Sequence, residues 1–194
     1  MSRNIWVSSD LHYNHANIIK FIDYNGNRVR DFDTVEEMNE KLLESHNSVV
    51  KPGDLWYNLG DVFMGDRDKF LKDWPKFNGA KRLLVGNHDD IKFLSSGGLF
   101  QKIMMWRQFS DMNIVMTHVP IHESGMWRGR DTKAPSLNVH GHIHRMHSPT
   151  QMHFNVSVEA LNDYTPIHIE DLAVIAKERR EEWMNRNQIK SDVL

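Results

Sequence analysis

Apolar residues along this chain fall in short runs, most of them closed by a polar residue or glycine, with longer stretches at helical spacing between them. The runs over 5–9, 55–59, 82–85, 114–117 and 137–139 predict buried strands, and those over 103–109, 154–158 and 167–169 predict further ones. Ser110-Asp111-Met112-Asn113, between two of them, predicts a hairpin. Helical spacing runs over 15–24 and again over 68–74, where Pro75 stops it. Thr34-Val35-Glu36-Glu37 is a capping box, with Val35, Met38, Leu42, His46 and Val49 in one stripe behind it. A last, largely charged helix opens at Asp171 and runs to about Asn187. Strands and helices interleave in the first half and strands dominate the second, which predicts an α/β layered domain with mixed sheets. No repeat, low-complexity block or linker interrupts it, so residues 1–194 read as a single domain.

The informative positions are those that follow the strands. Ile5-Trp6-Val7-Ser8-Ser9 ends in Asp10-Leu11-His12, and Tyr57-Asn58-Leu59 in Gly60-Asp61. Leu83-Leu84-Val85 ends in Gly86-Asn87-His88-Asp89, Ile114-Val115-Met116-Thr117 in His118, and Leu137-Asn138-Val139 in His140-Gly141-His142-Ile143-His144. In open α/β sheets the carboxyl ends of strands line the functional crevice, so these side chains are expected to converge. Together they offer carboxylate, imidazole and amide donors, too many for one ion. Two ions sharing a carboxylate would use them, and ions about 3.5–4 Å apart are a common arrangement for phosphoester hydrolysis. Glycines 60, 86 and 141 sit just before ligand positions, where a tight turn or close backbone approach is needed.

Composition narrows the metal. The chain holds 12 histidines and no cysteine, which excludes disulfides, thiolate nucleophiles, iron–sulfur clusters and cysteine-type zinc sites. Nitrogen and oxygen donors suit Mn, Fe, Co, Ni or Zn. Charge is near balance, 24 basic against 26 acidic side chains for a net −2, which argues against binding extended nucleic acid through bulk electrostatics. The longest strictly apolar run, over 172–176, is far short of the ~20 residues that cross a bilayer. With no secretory apolar core at the N-terminus, the expected compartment is the cytoplasm.

The motifs D-x-H, G-D, G-N-H-D, H and G-H-x-H, in that order from Asp10 to His144, resemble those of the calcineurin-like metallophosphoesterase superfamily, over about two-thirds of the chain. The resemblance implies a four-layer sandwich of two mixed β-sheets flanked by helices. It implies that Asp10, His12 and His144 hold one ion, that Asn87, His118 and His142 hold the second, and that Asp61 bridges them. It also implies that hydroxide bridging two divalent ions, Mn2+ foremost, attacks phosphorus while His88 acts as general acid. The opening Asp10-Leu11-His12-Tyr13-Asn14-His15 with Arg30 is similar to a small bacterial and phage branch. One motif departs: Met64 and Gly65 stand where protein phosphatases of the superfamily carry Asp and Arg, which argues against that subtype. What orients His88 is then open: Asp66 and Asp89 are candidates, or no carboxylate does.

Substrate contacts are read from position. His15 lies near His12, and Arg30 is a candidate phosphate grip. Residues 120–135 form a candidate lid between two ligand motifs, with Arg128 and Arg130 to grip phosphate, Trp127 to stack on a base or other flat group and His122 as a further substrate contact. His46 and His140 are expected to be structural, His147, His153 and His168 carry no assigned role, and Met104-Met105 is expected in the core. The expected substrate is a small phosphomono- or phosphodiester of nucleotide type. The alternatives are a catalytically silent protein-binding scaffold of the same fold, or a nuclease.

Overall fold

The computed structural model describes residues 3–23, 25–127 and 133–191, with side chains to residue 187. Its first sheet is mixed. Strands β1 (Ile5–Ser8), β2 (Leu55–Asn58), β3 (Ala80–Leu84) and β4 (Lys102–Met104) run parallel, and β9 (Ile167–His168) lies antiparallel on β1, giving the order β4-β3-β2-β1-β9. The second sheet, β5-β6-β7-β8, is also mixed. There β6 (Ile114–Thr117), β7 (Leu137–His140) and β8 (His153–Asn155) are parallel, and β5 (Trp106–Phe109) is antiparallel to β6. The chain is therefore α/β, with two mixed sheets flanked by helices.

Strand alternation decides what each sheet faces. In β2, Leu55 and Tyr57 point into a cluster shared with Ile114, Met116, Leu137 and Val139 of the second sheet, whereas Trp56 points the other way. Val7 against Trp6 and Leu84 against Leu83 repeat this division. The face carrying Trp56 is covered by α1 (Val35–Val49), α2 (Arg67–Asp73) and α3 (Ile91–Leu94), through Met38, Leu42, Phe70 and Leu94, and by Trp74 of the 3-10 turn that follows α2. Helix α4 (Ile169–Ser191) closes the inter-sheet cluster with Ile169, Leu172 and Ala176. Both faces of the central strands are buried, so they read as continuous apolar runs.

Helix α1 begins where the capping box predicts: the Thr34 side chain accepts from the Glu37 N–H at 3.1 Å, while Glu37 reaches back to the N–H of Asp33. His46 is structural, as expected. Its Nε2–H donates to the Asn78 carbonyl at 2.9 Å and its ring sits edge-on to Trp56. Burial pushes its pKa down to about 4. The unfolded chain binds this proton near pH 6.5 and the fold resists it until about 4, so stability is lost as the pH drops through that window. Going from pH 7.5 to 5, His46 is expected to remove about 2 kcal/mol. Urea unfolding midpoints should drop less over that interval in His46→Gln than in the parent chain; an equal drop would discard the assignment.

Several elements differ from expectation. The helix expected over 15–24 is a single 3-10 turn, Ile18–Lys20, after which the chain extends. The Asp23 carboxylate accepts from the N–H groups of Asn25 and Asn27, and these local bonds compete with helix formation. The strand expected over 103–109 is two strands in different sheets, with the chain crossing between them at Met105. Met104 packs on the inter-sheet cluster, but Met105 is 70% exposed rather than in the core. Helix α4 starts two residues before Asp171, and the apolar run over 154–158 leaves its strand after Asn155. Among the described residues no helix is long and apolar enough to cross a membrane.

Candidate metal centre

The carboxyl ends of β1, β2, β3, β6 and β7 meet at one end of the two sheets, and the side chains just beyond them form two clusters. Asp10, His12 and His144 make one; Asp61, His118 and His142 make the other, and in each the ligand atoms lie within 4.8 Å of one another. Asp61 joins them. Its Oδ2 is 3.6 Å from His12 Nε2 and 3.5 Å from His118 Nε2. Asn87 Oδ1 lies 2.9 Å from both His118 Nε2 and His142 Nδ1, which puts the amide in the second cluster. All seven residues named as ligands thus come together.

The backbone is shaped for this. Asp10, His12, Asp61, His142 and His144 all have positive φ, between 45° and 71°. Such conformations cost on the order of 1–3 kcal/mol each in non-glycine residues and persist where the surroundings over-determine them. The preceding glycines are needed for closeness. A Cβ on Gly86 would overlap Asp61 Oδ1, and one on Gly141 would overlap Asp10 Oδ2 and Ser9 Oγ.

Hydrogen bonds fix which atoms face inward. The His118 Nδ1–H donates to the Leu59 carbonyl at 2.7 Å, leaving Nε2 for the centre. The His144 Nδ1–H donates to Glu159 Oε1 at 2.9 Å with the same consequence. Asp10 Oδ2 accepts from the His142 N–H and the Ser157 hydroxyl, while its Oδ1 is buried with no hydrogen-bond partner. His12 Nε2 is likewise buried without one, 4.0 Å from that oxygen. Leaving such groups unmatched costs about 1–3 kcal/mol each, and a cation between them would satisfy both. The donor set therefore fits divalent metal ions.

Electrostatics agree. Burial and then Arg30 push the His12 pKa down to about 3, so its ring is neutral and able to ligate at neutral pH. Burial alone would raise Asp61, but His118, the His88 N–H and His12 hold it down to about 2, as the carboxylate.

One buried group was missed by the sequence reading. Glu159 has a fully buried side chain and joins His144 to Arg30, whose Nε donates to the same Oε1 at 2.7 Å. Arg30 also donates to the carbonyls of Leu11 and Asp10. Arg30 is therefore not a phosphate grip. It is wholly buried beneath the centre, bracing the backbone of a ligand loop. Glu159 follows the apolar run over 154–158, so it is a sixth polar group at such a run's end, and that rule would have found it. Partners of metal-ligating histidines typically contribute 10–100-fold to metal affinity. Glu159→Ala is expected to weaken Mn2+ binding by about that factor, measured by titration calorimetry; unchanged affinity would show that His144 needs no such partner.

The other assignments divide. His88 is exposed, with its ring 5.6 Å from that of His12 and its N–H donating to Asp61 Oδ1 at 2.9 Å. Of the alternatives for orienting it, neither candidate carboxylate is engaged with its ring. Asp89 accepts from the N–H groups of Asp61, Val62 and Gly86, and Asp66 caps α2. His15 does reach the centre, its ring 5.5 Å from that of His12. His122 instead accepts from the Ser124 N–H within its own turn. Trp127 packs edge-on against Trp183 of α4, and Met126 anchors its segment in the outer cluster with Val115 and Met152. Residues 119–127 therefore lie along the second sheet rather than closing as a lid, because Met126 is buried there and Trp127 rests on α4. Arg128 and Arg130 lie outside the described residues. His140 supports the ligand loop as expected, bonding to the Gly141 carbonyl and the Ser148 hydroxyl. His153 holds the Ile121 carbonyl, and His168 packs on Trp6.

No family model matches the chain. It is similar to the crystal structure of the protein of unknown function AQ665 from Aquifex aeolicus, with a TM-score of 0.65 and 27% identity, covering 88% of this chain and 98% of that one. The Gene 66 protein of Mycobacterium phage D29 is 26% identical over 199 residues, covering 84% of this chain and 92% of the phage protein. The uncharacterized protein MJ1445 of Methanocaldococcus jannaschii is 33% identical over 177 residues, 87% of this chain and 88% of the archaeal one. By that identity and coverage, the chain belongs to the family of the Methanocaldococcus jannaschii protein.

Proposed function

We propose that this protein is a metal-dependent phosphoesterase of the calcineurin-like type, with two divalent ions, Mn2+ foremost and Fe, Co, Ni or Zn as chemical alternatives. The observation that carries the reading is the position of Asp61, one carboxylate oxygen between His12 and His118 of two adjacent donor clusters. Asp10, His12 and His144 would hold one ion, Asn87, His118 and His142 the other, with Asp61 shared. Bound ions of this kind acidify water and neutralise phosphoryl oxygens.

The chain's own groups supply the rest. Asp61 Oδ1 accepts the His88 N–H, so the ligand that joins the clusters also sets where the His88 ring begins. That ring is exposed beside the centre, where an imidazole can act as general acid toward the departing oxygen of the ester. His15, half-buried near His12, is placed to meet a phosphate oxygen. The near-neutral net charge favours a small phosphomono- or phosphodiester over extended nucleic acid.

The test is direct. Purified protein should bind close to two Mn2+ per chain and hydrolyse nitrophenyl phosphate, its bis-ester or a 2′,3′-cyclic nucleotide, with loss of activity on chelation and recovery on adding Mn2+. The ratio of mono- to diester rates assigns the ester class. Absence of turnover with every metal named above would replace this reading by that of a binding scaffold.

A further inference from the structure

A cleft of about 380 Å3 opens beside the metal centre, where the chain crosses from β4 to β5 and so from one sheet to the other. Its side walls include Met105, Trp106, Val119 and Ile121, and its inner end includes Asn87 and His118 of the second donor cluster. Three of those wall residues are large apolar side chains with much of their surface exposed: Met105 is 70% exposed, Trp106 49% and Val119 42%. Large exposed apolar side chains grouped in this way mark binding surfaces rather than ordinary exterior.

Two polar groups of the cleft walls are already engaged. The Thr117 hydroxyl donates to the Val119 carbonyl at 2.6 Å, and the Ile121 N–H donates to Asn138 Oδ1 at 2.9 Å. Among the described residues the side walls are therefore mainly apolar and aromatic faces. The volume sits at the lower end of the range for small-ligand sites, about 300–1,000 Å3, which suits one nucleoside-sized group and not a strand. A larger concavity of about 1330 Å3 lies on the His144 side, but two of its arginines serve the fold. Arg145 donates to the Val29 carbonyl, and Arg179 to those of Gln151 and His153.

We propose that the cleft seats the flat aromatic group of a phosphoester, naturally the base of a nucleotide, while the phosphorus lies at the end formed by Asn87 and His118. The inference rests on the phosphoesterase reading and deepens it. Trp106, rather than Trp127, supplies the stacking surface. Because the side walls are mainly apolar and aromatic faces, purine and pyrimidine are both accepted.

Comparing adenosine 5′-monophosphate with ribose 5-phosphate isolates the contribution of the base. Mn2+-loaded protein should bind the nucleotide at least about tenfold more tightly, the scale of stacking one base on an aromatic side chain. Trp106→Ala should bring the two affinities together, and Trp106→Phe should keep most of the difference. Val119→Trp, which fills the cleft from an exposed position, should also abolish the difference and serves if Trp106→Ala does not fold. Equal affinities in the parent chain, or a preference that survives both Trp106→Ala and Val119→Trp, would overturn the proposal. The two readings fail separately. Hydrolysis of nitrophenyl phosphate without base preference removes the cleft alone, whereas base preference without hydrolysis of any ester removes the phosphoesterase.

Discussion

Asp61→Asn is expected to lower kcat/KM at least about 10³-fold and to reduce bound Mn2+ from two per chain to one or none. The substitution is nearly isosteric, and the asparagine carbonyl can still accept the His88 N–H that Asp61 Oδ1 accepts now. What changes is the other atom. In place of a carboxylate oxygen 3.6 Å from His12 Nε2 and 3.5 Å from His118 Nε2, an amide NH2 would donate to both imidazoles. The fold keeps its contacts while the shared acceptor for two cations disappears. Metal charge stabilisation of a phosphoryl transition state is worth several kcal/mol, and about 4 kcal/mol corresponds to the stated loss. Metal content by plasma mass spectrometry and steady-state kinetics measure the two halves. A variant that retained two ions and activity within tenfold of the parent would show that Asp61 is not the bridge.

His88→Ala should behave differently. Its backbone N–H survives the substitution and still donates to Asp61, so both ions are expected to remain. General-acid catalysis typically contributes 10²–10⁴-fold, and its share depends on how badly the departing oxygen needs a proton. Hydrolysis of an alkyl phosphoester should fall by about that factor. A nitrophenyl ester, whose leaving group departs readily as the anion, should lose much less. Equal losses on both esters, or loss of metal, would mean that His88 acts as a ligand or support and not as an acid.

The strand ends were the legible part of the centre. A buried parallel strand shows as an unbroken apolar run, and its end is marked by the first residue that cannot be buried without a partner. Asp10, Asp61, Asn87, His118, His142 and His144 each follow such a run, and all stand in the two donor clusters. The elements misread share a different cause. Residues 15–24 carry helical spacing, but the Asp23 carboxylate takes up backbone N–H groups that a helix would need. The run over 103–109 looks like one strand because pairing partners are invisible along the chain, and β3 and β6 claim its two halves for different sheets.

Local order alone thus carried the α/β alternation, the capped helix at Thr34 and the residue types of a nitrogen–oxygen metal centre, since these depend on periodicity and on chemistry at fixed short spacing. Long-range packing decided everything that depends on which distant segments touch. Arg30 and Glu159 stand 129 positions apart, and only their burial together beneath His144 turns a presumed phosphate grip and an unremarked acid into one support. Packing likewise held Trp127 against α4 and opened the cleft beside Trp106. An isolated polar residue has the same sequence signature whether it meets solvent or a buried partner; the difference is the desolvation that the folded neighbours impose.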